Sequence, residues 1–264
     1  MQPIPILQQP YRKIYSAFRK QLSKSLFIFL LFSPIKAIAA VDADCYTADY
    51  ESIGPEGTIC AGKLIVNRDM LDKAIKDKTY YIVKDGEKYY FGKAKFRKLI
   101  FTGRVTSFLN LFKNNDNFNE KIDHWDTSKA RNMSGMFYNA ILFNQVINSW
   151  NTSNVNNMGS MFRGATKFNR NLEDWNVENV TNMSRMFEGA SVFNGEINSW
   201  TTSKLNNMSL MFLNAKKFNR NIKDLDTSKV TNMGSMFKGA VKFNQDLNNW
   251  DVGLVKNMKS MFQE

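Results

Sequence analysis

Residues 143–167 read Phe143-Asn144-Gln145-Val146-Ile147-Asn148-Ser149-Trp150-Asn151-Thr152-Ser153-Asn154-Val155-Asn156-Asn157-Met158-Gly159-Ser160-Met161-Phe162-Arg163-Gly164-Ala165-Thr166-Lys167. The Phe-Asn pair that opens this stretch returns at Phe118, Phe168, Phe193, Phe218 and Phe243, each followed by Asn, a period of 25 residues. Met-Phe keeps the same register at Met136, Met161, Met186, Met211, Met236 and Met261. No insertion breaks it. A fixed period of this size predicts a repeat solenoid, in which one copy forms one coil and each coil rests on its neighbours.

Within the stretch the apolar positions are Phe143, Ile147, Trp150, Val155, Met158, Met161, Phe162 and Ala165. Their spacing is neither steadily 2 nor steadily 3.6, which excludes one long strand or helix. The reading is a coil of short pieces: a short strand over 155–158, a helical turn over 159–165, a corner at 151–154 and a return over 143–150. The expected fold is therefore a stack of short parallel strands alternating with short helical turns. Methionine suits the seam between imperfect copies, because a flexible thioether fills irregular gaps.

Two further rows have double readings. Asn132, Asn157, Asn182, Asn207, Asn232 and Asn257 precede Met in every copy. They bond the backbone of adjacent coils, or they form a polar row for a ligand. Trp125, Trp150, Trp175, Trp200 and Trp250 form either core or an exposed stacking platform. Leu225 takes one place in that row, and an aliphatic substitute keeps burial but spoils a platform. Core is the reading preferred.

Outward from the copies, residues 101–117 are a degenerate half-repeat, with Val105, Phe108, Leu111 and Phe112 in the apolar places. Residues 118–264 hold six copies, the last reading as an incomplete, truncated one. Residues 41–100 lack the repeat and read as a small α+β N-terminal cap over the first coil. There Lys63-Leu64-Ile65-Val66 suggests a strand, and Asn67 caps a helix over 69–76. Tyr80-Tyr81-Ile82-Val83 and Tyr89-Tyr90-Phe91 flank Asp85-Gly86 as a hairpin. Cys45 and Cys60 are the two cysteines, and an even count in an exported chain predicts a disulfide.

Export is the reading of residues 1–40. Arg12, Lys13, Arg19, Lys20 and Lys24 precede an apolar run at 26–32, and Ala37-Ile38-Ala39-Ala40 supplies a cleavage pattern. The run is short for a span, which needs about 20 residues, so no integral membrane span is expected after cleavage. An uncleaved anchor is the alternative. The signal carries six basic and no acidic groups, half of the formal +12. Elsewhere the charges are interspersed, without the basic stripe that nucleic acid requires.

Catalytic parts are missing from the pattern. His124 is the one histidine, and Ser149, Asp174, Ser199, Asp224 and Asn249 hold its equivalent places, so it reads as a surface substitution. No phosphate loop occurs, and no carboxylate pair recurs between copies. An enzyme is not expected, nor a cofactor or metal. The candidate binding row is the variable position after Met-Phe: Tyr138, Arg163, Glu188, Leu213 and Lys238. Relaxed constraint at a solvated position is the plainer reading of that variety.

Phe168-Asn169, Leu172, Trp175-Asn176, Val180, Asn182-Met183, Met186-Phe187 and Ala190 resemble the surface-protein repeat of the BspA-like leucine-rich-repeat bacterial surface proteins. Glu178 and Gly253 depart from the Ser that the other copies carry. The resemblance spans 118–264. It implies a leucine-rich-repeat-like solenoid, extracellular or displayed at the cell surface, that binds a host or neighbouring-cell protein or glycan. The alternative is a structural spacer without a dedicated ligand. The resemblance transfers no catalytic residue.

Overall fold

The computed structural model describes residues 44–263. The expected signal at 1–40 lies outside them. Among the described residues no helix is long and apolar enough to cross a membrane.

The N-terminal segment forms as its local signals direct. Strand β1 is Leu64–Ile65, and helix α1 is Arg68–Lys76. The Oδ1 of Asn67 accepts from the amide of Met70 at 2.9 Å, closing the helix start. Leu71 and Ala74 are its buried face. Strands β2, Tyr81–Lys84, and β3, Glu87–Tyr90, pair antiparallel across Asp85-Gly86. Both turn residues have positive φ, 50° and 79°, as a two-residue hairpin turn requires. Strand β4, Lys98–Phe101, was not anticipated. It lies between β1 and β3, parallel to both, giving the order β1-β4-β3-β2.

Cys45 and Cys60 are joined, with the sulfurs 2.10 Å apart. They pack with Ile65 and Phe101 in a small cluster of their own. The cap is bonded to the first copies at several points. Arg68 donates to the carbonyls of Ser107 and Leu109 at 3.1 and 2.8 Å. Lys93 N–H reaches Lys121 O at 2.8 Å. The Trp125 indole donates to Phe91 O at 2.9 Å. One hydrophobic core runs from Leu64 to Met261.

The copies overturn the expected leucine-rich-repeat-like solenoid of strands alternating with helical turns. The fold is a curled half-barrel sheet, and only 6% of it is helical. The strand expected over 155–158 contracts to one parallel bridge per copy, Asn132↔Asn157, Asn157↔Asn182 and onward to Asn257. The helical turn expected over 159–165 does not form, and the reason is visible in the backbone. Ser160 and Gly164 have φ of 57° and 68°, and left-handed residues four apart cannot sit in a right-handed helix. Gly135, Arg185, Leu210, Ser235 and Ser260 repeat the first, and Asn139, Gly189, Asn214 and Gly239 the second.

Alternate amides therefore take different routes. Those of Met158, Ser160, Phe162 and Gly164 cross to the carbonyls of Asn182, Ser184, Met186 and Glu188, at 3.0, 2.8, 2.9 and 2.7 Å. Those of Met161, Arg163 and Ala165 turn back three residues, to Met158, Ser160 and Phe162. An α-helix would keep every bond within its own copy.

Side chains fill the inside of this backbone. Phe143 stacks on Phe137 with centroids 3.9 Å apart, and on Phe168 in the next copy at 5.9 Å. Trp150 and Trp175 are buried and parallel, 6.4 Å apart. Each indole donates to the carbonyl three places before its counterpart in the preceding copy, Trp150 to Ile122 O at 3.0 Å and Trp175 to Ile147 O at 2.9 Å. The tryptophan row is core, and Leu225 is buried in its place within it.

Candidate functional site

Three polar columns run along the stack and position its surface. The asparagine after Phe bonds between copies: Asn169 N–H donates to Asn144 Oδ1 at 3.0 Å, and Asn194 N–H to Asn169 Oδ1 at 2.8 Å. The asparagine before Met acts mainly within its own copy instead. Asn157 Oδ1 accepts from Gly159 N–H, and Asn182 Oδ1 from Ser184 N–H, both at 3.0 Å. Asn182 Nδ2 also reaches Asn157 Oδ1 at 3.2 Å. The between-copy role expected of the Asn-Met row belongs chiefly to the Phe-Asn row.

The third column escaped the sequence reading. Thr127, Thr152, Thr202 and Thr227 are buried, and each hydroxyl donates to a carbonyl of the following copy, at 2.9, 2.8, 3.0 and 2.8 Å. The signal was present, since Thr follows Trp by two places in these copies, with Leu225 for Trp before Thr227. Valine stands in this place in two copies: Val177 is equally buried, and Val252, in the last copy, is exposed.

The five residues of the variable row, Tyr138, Arg163, Glu188, Leu213 and Lys238, do fall on one line. All are half-buried, and their carbonyls accept from the copy before, as Glu188 O does from Gly164 N–H. Their side chains are partly engaged with one another. Arg163 lies over the Tyr138 ring at 4.9 Å and pairs with Glu188 at 3.0 Å. Arg185 takes the other oxygen of Glu188 at 2.8 Å. Opposite charges one period apart thus tie successive copies together.

Beside this row an open groove of about 330 Å³ crosses three copies and the half-repeat. Leu109, Lys113 and Tyr138 line it together with Asn157, Asn182, Ser134, Ser160 and Ser184. Lys113 sits 5.1 Å from the Tyr138 ring centroid. The groove offers the Asn157 and Asn182 amides one period apart, serine hydroxyls at two adjacent positions of the period, and one aromatic ring, Tyr138. Such a surface can hydrogen-bond and stack on an extended polar ligand.

His124 corrects the sequence reading at another point. Its counterparts Ser149 and Asp174 are exposed, yet His124 is half-buried and both ring nitrogens are enclosed. Burial pushes its pKa down to about 4; Asp123 and the backbone of Lys121 oppose that, and Lys63 and Lys93 add to it. Those two lysines belong to the N-terminal segment, which meets the first copy at this position. Burial likewise lowers the pKa of Lys63, against the attraction of Asp126.

The family described as Mycoplasma protein of unknown function, DUF285, matches residues 106–212 and 193–264. The chain belongs to this family. DUF285 is a BspA-like, repeat-type family. The matched residues begin inside the half-repeat and take in every copy, the groove and the whole variable row. No curated protein matches the chain, and no solved structure does.

Proposed function

We propose that this DUF285 chain is an exported, surface-displayed binding module of the BspA-like kind, without catalytic activity. The observation that carries the reading is the groove beside Tyr138. A polar trough holds the Asn157 and Asn182 amides one period apart, with a serine hydroxyl from each of the three copies beside them, and that is chemistry for holding an extended polar polymer. The lining of Asn157, Asn182, Ser134, Ser160 and Ser184 with one tyrosine favours a glycan of the host or a neighbouring cell over a compact protein. The basic front and apolar run at 1–40 support export. Fixed core letters under a changeable outer row support recognition that varies without altering the fold.

Tyr138→Ser combined with Ser184→Tyr removes the ring and fills the groove. Binding of exported protein to an array of host and bacterial glycans should fall at least tenfold, with the melting temperature within a few degrees of wild type. Undiminished glycan binding by the folded variant removes the groove from the account. The second reading, a structural spacer, is favoured by the mutual pairing of Arg163, Glu188 and Arg185. It predicts no glycan bound above background by the wild-type protein.

A further inference from the structure

A trough lies between α1 and β2, on the N-terminal segment and apart from the copies. Strand β2 is an outer strand of its sheet. The opposite outer strand, β1, is flanked by the bridge from Ile53 to Leu64. Along β2 lies a cavity of about 440 Å³, lined by Tyr81, Ile82, Val83 and Lys84 in succession. Neighbouring side chains on a strand point to opposite faces. Four consecutive residues can line one cavity only where it runs along the strand's edge.

The register shows which backbone groups face it. Asp85-Gly86 is a two-residue turn, so Lys84 and Glu87 exchange both ladder bonds, as do Ile82 and Tyr89 two places on. The amides and carbonyls of Tyr81 and Val83 therefore point away from β3. The Thr79 hydroxyl donates to Tyr81 O at 3.1 Å. Val83 offers both an N–H and a C=O to the trough, and its side chain is 58% exposed. Opposite, α1 supplies Met70 and Ala74, and Leu64 lies beneath them.

We propose that this trough receives an extended peptide from a partner protein as an added strand beside β2. A peptide is the occupant because the free groups are backbone groups in strand spacing, which a second strand satisfies and a glycan or lipid does not. Alternate side chains of the peptide, if apolar, drop toward Met70, Ala74 and Leu64. Lys73 and Lys84 at the rim, with Glu51 and Asp77, leave its polar side chains to face water or charge.

The test is selection of displayed random heptapeptides against the immobilised full chain, followed by titration of a selected synthetic peptide. The expected peptides alternate apolar and polar residues. N-methylation of the peptide amides facing β2 should weaken binding at least tenfold, while methylation of the intervening amides leaves it within threefold. Val83→Pro, which removes the edge donor at a place where edge strands tolerate proline, should weaken it similarly, and Val83→Ala should not. Equal loss from methylation at either set of amides overturns the proposal whether or not the proline variant folds. Enrichment of no alternating peptide overturns it as well. So does concentration-dependent dimerisation that Val83→Pro abolishes in the absence of peptide, which would assign the edge to a second copy of this chain.

Discussion

Asn169 sits between two copies as both donor and acceptor: its backbone amide meets Asn144 Oδ1 at 3.0 Å, and its own Oδ1 accepts from the Asn194 amide at 2.8 Å. The period in the sequence thus corresponds to a physical column, in which each asparagine supplies the bond that the next copy's backbone lacks. Asn169→Ala leaves the Asn194 amide to water and should destabilise by about 1 kcal/mol. Asn169→Asp keeps the accepting oxygen and should lie closer to wild type. Chemical denaturation of both variants measures the difference. Equal stability of Asn169→Ala and wild type would show that the column contributes nothing.

Phe187 is fully buried, stacks on Phe193 at 3.9 Å and lies 5.6 Å from both Phe162 and Phe212. Phe187→Ala empties a place in the continuous ring stack and should cost ~3–5 kcal/mol. A change within about 0.5 kcal/mol, typical of surface sites, would contradict the packing.

Leu225 leaves the indole column short of one ring. In a neighbouring copy Trp200 donates to Leu172 O at 2.8 Å, and the equivalent acceptor for position 225 is the carbonyl of Ile197. Leu225→Trp should therefore be accepted, with a melting temperature equal to or above wild type. A loss on the scale of overpacking, about 1–3 kcal/mol, would mean that the surrounding copies have closed around leucine.

His124 gives the protein an acid-sensitive joint. Its folded pKa of about 4 lies below the ordinary histidine value of 6.5, so within that window the unfolded chain binds the extra proton. Stability from this group is full above the ordinary value and is lost as pH falls toward about 4. His124→Ser, the residue of two other copies, should flatten the stability–pH curve in that window and leave neutral-pH stability unchanged or higher. Parallel curves for the two proteins would refute the buried, neutral state.

Much of this was legible in the sequence because the period constrains it. The register of Phe, Trp, Met and Val marks the core, and Asp85-Gly86 marks the hairpin. The disulfide follows from two cysteines near a predicted cleavage site. The helical turn was misread for a physical reason. Met158, Met161, Phe162 and Ala165 have the spacing of a helix face, but successive three-residue turns produce that spacing too. The decisive left-handed place is held by Gly135, Ser160, Arg185 and Leu210, so no glycine signature announces it. Gly and Asn at the second left-handed place were the readable hint. The variable row fell on one line as the period requires, while the pairing of Arg163 with Glu188 needed the opposite charges one period apart to be noticed. The burial of His124 depends on the cap lying over it, which no repeat pattern contains.

Direct contact between successive copies at equal positions is the claim on which the rest depends. Asn156 and Thr181 are exposed, and Thr181 N–H donates to Asn156 O at 2.9 Å, while Asn206 N–H donates in turn to Thr181 O at 2.9 Å. Adjacent equal positions are then about 4.8 Å apart and alternate ones about 10 Å, and a disulfide does not span more than about 7 Å between Cα atoms. Mild oxidation of Asn156→Cys/Thr181→Cys, read by mass spectrometry after proteolysis, should yield the 156–181 crosslink in most molecules. The same treatment of Asn156→Cys/Asn206→Cys should yield almost none. Comparable crosslinking in the two variants, or crosslinking at 156–206 alone, would contradict the stacking of neighbouring copies in register.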